Sequence, residues 1–261
     1  MTTTTTTIPE PETLQNRLRN LGLYGLLNHF DEIIEEEWLP RILDIEETER
    51  RRRSLERRLK NARIGRFKPM ADFDWKWPKT IDRALVDELF TFGFVEEAAN
   101  VVLLGPNAVG KTMISKNLTH QAILRGFTAR FITASDMLHD LAAQDSDISL
   151  ARRLRRYIQP QLLAIDEVGY LAYNTRYADL FFDVVTRRYQ QRSIVLTTNK
   201  PFGEWNQVFA NAACVVALID RLVHKAEIAA IDGESYRFKE AKERAALKAK
   251  TRARRRKTKA K

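Results

Sequence analysis

The chain has 261 residues, of which 44% are hydrophobic and 30% are charged. This length suffices for one large domain and a smaller one, with a core that needs no covalent cross-links. The single cysteine excludes an internal disulfide, and the longest uncharged apolar run, residues 212–219, is far shorter than the roughly 20 residues that cross a bilayer. The amino terminus lacks the pattern of a secretory signal, so we expect a soluble, cytoplasmic protein without a membrane partner.

The positive charge is concentrated at the carboxyl terminus. Residues 239–261 contain seven lysines and five arginines against Glu240 and Glu243, which equals the net charge of +10 of the whole chain. This basic tail has little to fold and is typical of a contact with a phosphate backbone. The alternative is a terminus that only promotes solubility, because charge runs are often simply solvated.

The amino-terminal part, residues 1–66, is predicted to be a helical region that contacts DNA or a partner. Residues 1–12 are of low complexity and contain two prolines, so we expect them to be disordered. Over residues 13–38 apolar side chains recur with a period near 3.6, which predicts one amphipathic helix, bent if at all at Gly22 or Gly25. A second helix is predicted over residues 45–62.

The second of these helices is rich in arginine. Its guanidinium groups make it a candidate surface for a DNA backbone. Glutamates three or four residues from several arginines offer the alternative of ordinary ion pairs on the helix face. The basic residues of this stretch are Arg50, Arg51, Arg52, Arg53, Arg57, Arg58, Lys60 and Arg63.

A linker is predicted over residues 67–80. Its aromatic residues alternate with charged residues and proline, without a helical period. Aromatic and basic side chains together can stack nucleic-acid bases. The intervening acidic residues favour the other interpretation, an extended linker that packs its aromatic rings on the next domain.

Residues 81–238 alternate predicted helices with short apolar strands. This alternation predicts the α/β class, with a doubly wound parallel sheet covered on both faces. Strands are predicted over residues 101–104, 129–133, 162–165, 193–198 and 236–238. The helix after the first of them should bury Ile114, Leu118 and Ala122 and stop at Gly126. Two more helices are predicted between Ser135 and Pro160.

The first predicted strand leads into a glycine-rich loop. Residues 105–112, Gly-Pro-Asn-Ala-Val-Gly-Lys-Thr, fit the pattern G-x-x-x-x-G-K-[ST] between a strand and a helix, where a chance match is rare. Backbone N–H groups of such a loop converge on phosphate, assisted by the positive end of the helix. Lys111 is expected to reach the β- and γ-phosphates of ATP, and Thr112 to hold Mg²⁺. The expected nucleotide-binding residues are Gly105, Pro106, Asn107, Ala108, Val109, Gly110, Lys111, Thr112 and Met113.

The third predicted strand ends in two carboxylates. Because a buried parallel strand carries its last residues to the ligand crevice, we expect Asp166 and Glu167 beside the phosphate loop. Asp166 is expected to hold Mg²⁺ through a water molecule, and Glu167 to activate the attacking water as a general base. Capping of the next element is the structural alternative for this acidic pair.

Two further polar residues follow later in the sequence. Asn199 comes directly after a predicted strand and is expected near the γ-phosphate, where a neutral amide can orient the water. A turn residue before Pro201 is the alternative. Arg221, on a predicted helix, is either a member of a surface ion pair or an arginine finger.

Six segments of the chain carry a family resemblance: residues 105–112, 162–171, 187–189, 197–205, 220–224 and 233–237. With these motifs almost the whole chain resembles the IstB-type transposition helper ATPases. The resemblance implies an AAA+ ATPase of the clade of DnaC and DnaA, which forms an ATP-dependent homo-oligomer on double-stranded DNA and serves a partner transposase. It also implies that Arg221 acts in trans as an arginine finger and that Arg237 contacts the nucleotide. In one departure, Ala108 and Val109 stand where relatives often carry a glycine.

The motifs leave other functions open. A helicase loader of a phage or plasmid replicon would use the same ATPase machinery. A small-molecule kinase would need a substrate-binding lid, which nothing between the motifs suggests, and the acidic pair fits hydrolysis better. A DNA-binding scaffold that binds ATP but hardly hydrolyses it is the third alternative.

Overall fold

The computed structural model describes residues 11–170, 172–209 and 212–259, without the side chains of residues 11, 212–214 and 250–259. The chain divides into two units, one up to Arg57 and one from Arg58 onward. The predicted disorder of residues 1–12 lies outside the described residues, except for Pro11 and Glu12, which begin the first helix.

The amino-terminal unit is helical, with more breaks than the sequence predicted. The prediction of one helix over residues 13–38 is wrong, because Gly22, at a φ of +65°, turns the chain after the first helix. The helices are α1 (Pro11–Asn20), α2 (Tyr24–Asn28), α3 (Phe30–Ile33) and the long α4 (Trp38–Ala62). The predicted apolar face nevertheless supplies much of the core, which consists of Leu14, Leu18, Leu21, Phe30, Leu39 and Leu43.

Glutamates of α4 pair with the arginines near residue 50. Arg50 contacts Glu46 at 2.5 Å, and Arg52 and Arg53 contact Glu49 at 2.6 and 2.8 Å. Hydrogen bonds from both arginines lower the pKa of Glu49 to about 2. For these arginines the ion-pair alternative is therefore correct, although exposed pairs of this kind contribute little to stability.

The second unit contains a six-stranded sheet with the order β1-β6-β2-β5-β4-β3. Neighbouring strands are parallel, except that β1 is antiparallel to β6. The strands are β1 (Thr80–Ile81), β2 (Asn100–Leu104), β3 (Ala129–Thr133), β4 (Leu162–Val168), β5 (Ser193–Thr198) and β6 (Ala226–Asp232). Strands β2 to β5 coincide with four predicted strands, which confirms the α/β class.

Helices precede, separate and follow these strands. They are α5 (Arg83–Leu89), α6 (Gly93–Glu96), α7 (Lys111–Leu124), α8 (Ala134–Ala142), α9 (Asp147–Ile158), α10 (Thr175–Arg188), α11 (Ala212–Val223) and α12 (Tyr236–Lys259). Short 3₁₀ helices occur at Met70–Asp72 and Phe202–Gln207. As predicted, α7 buries Ile114, Leu118 and Ala122 and ends before Gly126. None of the helices in the described part of the chain has the length and apolar composition that a membrane crossing requires.

The end of the second unit differs from the prediction. Residues 236–238, predicted as a strand, form the first turn of α12, and the last strand is β6. The sequence reading missed β6 because its burial alternates, with Ala229 and Ile231 buried, whereas β2 to β5 are nearly continuous apolar runs. The basic tail, predicted to have little to fold, continues α12 as far as Lys259.

Candidate nucleotide-binding site

The glycine-rich loop joins β2 to α7, as its motif predicts. Close packing explains both glycines. A Cβ atom on Gly105 would overlap the carbonyl oxygen of Ile231 in β6, and one on Gly110 would overlap the ring of Phe73. Gly110 also has a φ of +108°, which a side chain would penalise. The tight path of the loop therefore depends on these two residues.

Ala108 has a backbone conformation that favours glycine. Its φ is +61°, and the left-handed region costs a residue with a Cβ atom roughly 1–2 kcal/mol. Its carbonyl oxygen accepts a hydrogen bond from the N–H of Tyr236 at 2.9 Å. The alanine at this position thus places local strain in the loop, at the point where the loop contacts the first turn of α12.

Lys111 opens α7 and is only 8% exposed. Its Nζ donates to the carbonyl oxygens of Gly105 and Pro106, both at 2.7 Å. Burial lowers the pKa of the ammonium group, and the charges of Asp166 and Glu167 oppose this shift. A buried cation with neutral hydrogen-bond partners favours an anion in the loop.

Thr112 and Asp166 form the candidate Mg²⁺ position. The carboxylate of Asp166, which is 3% exposed, accepts hydrogen bonds from the hydroxyls of Thr112 at 3.1 Å and Thr197 at 2.5 Å. One hydroxyl and one carboxylate beside the loop fit Mg²⁺, which binds through few carboxylates and keeps water and phosphate ligands. Among the described residues, no group of three or more His, Cys, Asp or Glu offers a metal an all-protein cage.

An irregularity in β4 separates Glu167 from Asp166. The register with β5 shifts between Ile165 and Val168, and Glu167 has a φ of +61°. A bulge re-aims a side chain, and Glu167 is exposed whereas the residues on either side of it are buried. Its backbone N–H donates to the hydroxyl of Thr197 at 2.9 Å. The two carboxylates therefore occupy different environments, which suits one for a metal and the other for solvent chemistry.

One cavity is lined by half of the predicted site residues. It has a volume of about 120 Å³ and is bordered by the loop, by the ends of β4 and β5 and by α12. The predicted residues in its lining are Asn107, Ala108, Lys111, Thr112, Glu167, Asn199 and Arg237. Tyr170, Thr197 and Thr198 complete the lining, and the sequence reading assigned them no role. The fold thus brings the carboxylate of Glu167, the amide of Asn199 and the guanidinium of Arg237 to the phosphate loop.

Arg221 lies elsewhere in the unit. It is part of α11, donates to the carbonyl oxygen of Ala217 at 3.0 Å, and has its guanidinium 4.9 Å from the ring centre of Phe182. Arg221 does not line the cavity of its own chain. Within the described residues it also forms no ion pair with Asp220, so that particular alternative is not supported.

A second cavity, of about 180 Å³, adjoins the other side of the loop. Its aromatic lining comes from both ends of the second unit: Phe73 and Trp77 precede the sheet, and Tyr236 follows it. An apolar, aromatic recess beside a phosphate loop is suited to a nucleotide base. The sequence predicted that the aromatic rings of the linker pack on the next domain, and they do. It did not predict that they line a cavity. The aromatic residues of the linker were the only sign of the cavity in the sequence. They indicate a cavity only once the fold places Tyr236 in the same lining.

Polar contacts fasten this part of the linker to α12. Lys68 contacts Glu240 and Lys239 contacts Asp74, both at 2.8 Å. The indole N–H of Trp77 donates to a backbone carbonyl just before α12 at 2.8 Å. We call these three contacts the α12 clasp. It holds the first turn of α12, including Arg237, against the nucleotide site.

Comparison with known structures defines the class of the protein. A crystal structure of DnaI aligns with a TM-score of 0.54 at 17% sequence identity, covering 64% of this chain and 92% of that one. Together with the phosphate loop after β2 and the carboxylates that end β4, this shows an AAA+ P-loop NTPase fold.

Sequence comparison gives the family. The model of the family described as IstB-like ATP binding protein matches residues 27–245. The chain is 36% identical over 204 residues to an insertion sequence IS5376 putative ATP-binding protein of Geobacillus stearothermophilus, covering 78% of this chain and 81% of that protein. It is 36% identical over 236 residues to an insertion sequence IS21 putative ATP-binding protein of Pseudomonas aeruginosa, covering 87% and 89%. The chain belongs to the IstB-like ATP-binding proteins.

Proposed function

We propose that this protein hydrolyses ATP and, with ATP bound, assembles as a homo-oligomer on double-stranded DNA, where it helps a partner transposase in target selection and transposition. One observation carries the proposal. The phosphate loop, the Thr112–Asp166 pair, the exposed Glu167 and Asn199 meet at one edge of the sheet. The names of the relatives, ATP-binding proteins of insertion sequences, supply the biological context.

The residues of the site divide the work of hydrolysis. Lys111 and the N–H groups of the loop bind the β- and γ-phosphates. Thr112 and Asp166 would hold Mg²⁺, which would supply positive charge to offset the negative charge that develops on the phosphates. Glu167 takes a proton from the attacking water, and the amide of Asn199 orients that water. Each step uses a group that borders the same cavity or contacts one that does.

Two arginines act on the nucleotide from different subunits. Arg237 lines the cavity from α12 of the same chain. Arg221 acts in trans, which its position outside the cavity of its own chain supports. Oligomerisation therefore completes the site.

The other parts of the chain contact DNA and partners in the cytoplasm. We assign ATP hydrolysis to residues 81–238, which the linker at residues 67–80 connects to the amino-terminal region. Residues 1–66 and the basic tail, residues 239–261, are assigned to DNA and partner binding. The tail carries the whole formal net charge of the chain, which supports a contact with phosphates.

The steady-state rate of ATP hydrolysis, with and without duplex DNA, tests the proposal. We expect DNA to stimulate the purified wild-type protein, and Glu167→Gln to lower the rate by roughly 10²- to 10⁴-fold because it removes the base. A DNA-independent rate would favour a scaffold that binds ATP, and a wild-type rate for Glu167→Gln would show that another group is the base.

A pull-down with purified proteins identifies the partner. We expect ATP-dependent retention of the partner transposase and none of a replicative helicase. The reverse result would assign the protein to the helicase loaders, whose ATPase motifs are the same.

A further inference from the structure

A strongly basic cavity lies outside the nucleotide site, in the unit that begins at Arg58. It has a volume of about 530 Å³, and all its lining residues belong to the described part of the chain, where none of them is acidic. Its cationic side chains are Arg58, Lys60, Arg63, Arg130, Arg155 and Arg156. We call this cavity the arginine groove.

The arginine groove and the nucleotide site lie at opposite ends of the parallel strands. The groove is bordered by Thr128 and Ala129 at the start of β3 and by Gln159 and Pro160 just before β4. The phosphate loop follows the other end of β2. Because β2 to β5 are parallel, a ligand in the groove does not touch a nucleotide in the loop.

Arg130 is the buried cation of the arginine groove. It is 8% exposed, its guanidinium lies 5.1 Å from the ring centre of Tyr157, and its Nε has no hydrogen-bond partner among the described residues. Burial lowers the pKa of Arg130, Tyr157 opposes this shift, and the charges of Arg63 and Arg156 add to it. A buried charge is costly unless it is paired. An anion in the groove would supply the counter-charge.

Arg188 shows how the same fold holds another buried arginine through its terminal nitrogens, while its Nε also has no hydrogen-bond partner among the described residues. It is fully buried, and its two terminal nitrogens donate to five backbone carbonyl oxygens between 2.6 and 3.3 Å. Burial lowers its pKa to about 9, so the guanidinium stays charged at neutral pH. Arg188 therefore has an internal structural role, whereas Arg130 borders a solvent-filled groove.

The arginines of α9 and α4 also differ in their contacts: some form ion pairs and others line the groove. In α9, Arg153 contacts Asp140 at 3.3 Å, whereas Arg155 and Arg156 are exposed and line the groove. In α4 the arginines near residue 50 pair with glutamates, and the groove takes its cations from the far end of that helix and the residue after it. Six basic side chains thus line the groove, and none of its described lining residues is acidic.

We propose that the arginine groove binds the phosphodiester backbone of the DNA on which the protein assembles, an inference that rests on the proposed function. Guanidinium groups suit phosphate because they offer two parallel N–H donors and remain charged. Contacts of this kind position the protein without reading sequence. The groove therefore adds a sequence-independent contact that is separate from the basic tail.

The salt dependence of DNA binding by the full chain tests this inference. The test variant is Arg155→Gln/Arg156→Gln, chosen because both side chains are exposed and their loss leaves the core intact. The charge-matched control is Arg152→Gln/Arg176→Gln, which removes two exposed arginines that do not line the groove. On duplex DNA each lost phosphate contact lowers the slope of log affinity against log salt by roughly 0.9. We expect a decrease approaching two contacts for the groove variant and no decrease for the control.

Each outcome has a distinct meaning. Equal slopes for wild type and groove variant, with wild type still binding DNA, would overturn the groove assignment alone. Failure of the wild type to bind DNA at low salt would instead overturn the proposed function. Binding of a fluorescent ATP analogue should stay at one equivalent in every variant. A second equivalent in wild type that the groove variant loses would show that the groove holds a free nucleotide, and would overturn the DNA assignment.

Discussion

Thr197 connects the two carboxylates of β4 to β5. Its hydroxyl accepts the N–H of Glu167 and donates to Asp166, and the residue is 1% exposed. One buried side chain therefore contacts both the carboxylate of Asp166, the proposed Mg²⁺ ligand, and the backbone of Glu167, the proposed base. The sequence identified Asn199 two residues later but not Thr197, because its role depends on the register of β5 against the irregular part of β4.

Replacement of Thr197 should affect chemistry more than binding. Thr197→Val keeps the shape but leaves the N–H of Glu167 and one bond of Asp166 unmatched. We expect ATP affinity within a few-fold of wild type and a kcat about 10- to 100-fold lower, as for other groups that orient metal ligands. Thr197→Ser keeps the hydroxyl and serves as the control. Equal kcat values for Val and Ser would show that the hydroxyl does not position the carboxylates.

At the scale of elements, α12 contributes both to the candidate nucleotide site and to the basic tail. Its first turn carries Arg237 and is held by the α12 clasp, and the helix then continues into the basic tail. A change in the nucleotide site can therefore reach the tail through one continuous helix. The described part of the tail is thus continuous with the first turn of α12, which borders the candidate nucleotide site.

Two truncations should separate these roles. Ending the chain after Ala246 keeps Lys239 and Glu240 and removes nine basic residues. We expect normal ATP binding and a shallower salt slope on DNA. Ending it before Lys239 also removes two contacts of the α12 clasp, so ATP affinity should fall as well. Titration with a fluorescent ATP analogue measures the difference, and equal ATP affinity for the two truncations would contradict a role of the clasp at the site.

The sequence predicted those elements that a short stretch of residues identifies by itself. Continuous apolar runs identified β2 to β5, and the loop motif fixed the start of α7. Strand β6 was not predictable in this way, because only some of its side chains are buried and its place in the sheet depends on pairing with β1 and β2. The aromatic cavity was missed for a related reason: Phe73 and Tyr236 are far apart in sequence and meet only in the folded chain.

At the scale of the whole molecule, the proposed function assigns Arg221 to the nucleotide site of a neighbouring subunit. It lies on α11 and contacts Ala217 and Phe182 instead of the cavity. In phosphoryl transfer a guanidinium supplied by a neighbour stabilises charge on the γ-phosphate and accelerates the reaction by roughly 10³- to 10⁵-fold. An Arg221 that acts in trans should therefore matter only in the assembled state.

Mixing two inactive proteins tests this role. Arg221→Ala should bind ATP normally and lose the hydrolysis that DNA stimulates. Addition of Glu167→Gln should restore part of it, because mixed interfaces then pair an intact Glu167 with an intact Arg221. Full DNA-stimulated hydrolysis by Arg221→Ala would refute the role. No recovery in assemblies shown to be mixed would place Arg221 in the site of its own subunit.

Retention on duplex DNA during ATP turnover tests the central claim most directly. Wild type, Lys111→Ala and Glu167→Gln are each loaded on immobilised DNA with ATP, and the bound fraction is followed over time. We predict that Lys111→Ala is not retained above its ATP-free level, that wild type is released as ATP is consumed, and that Glu167→Gln stays bound. Equal, ATP-independent retention of all three proteins would contradict the claim that ATP controls assembly on DNA.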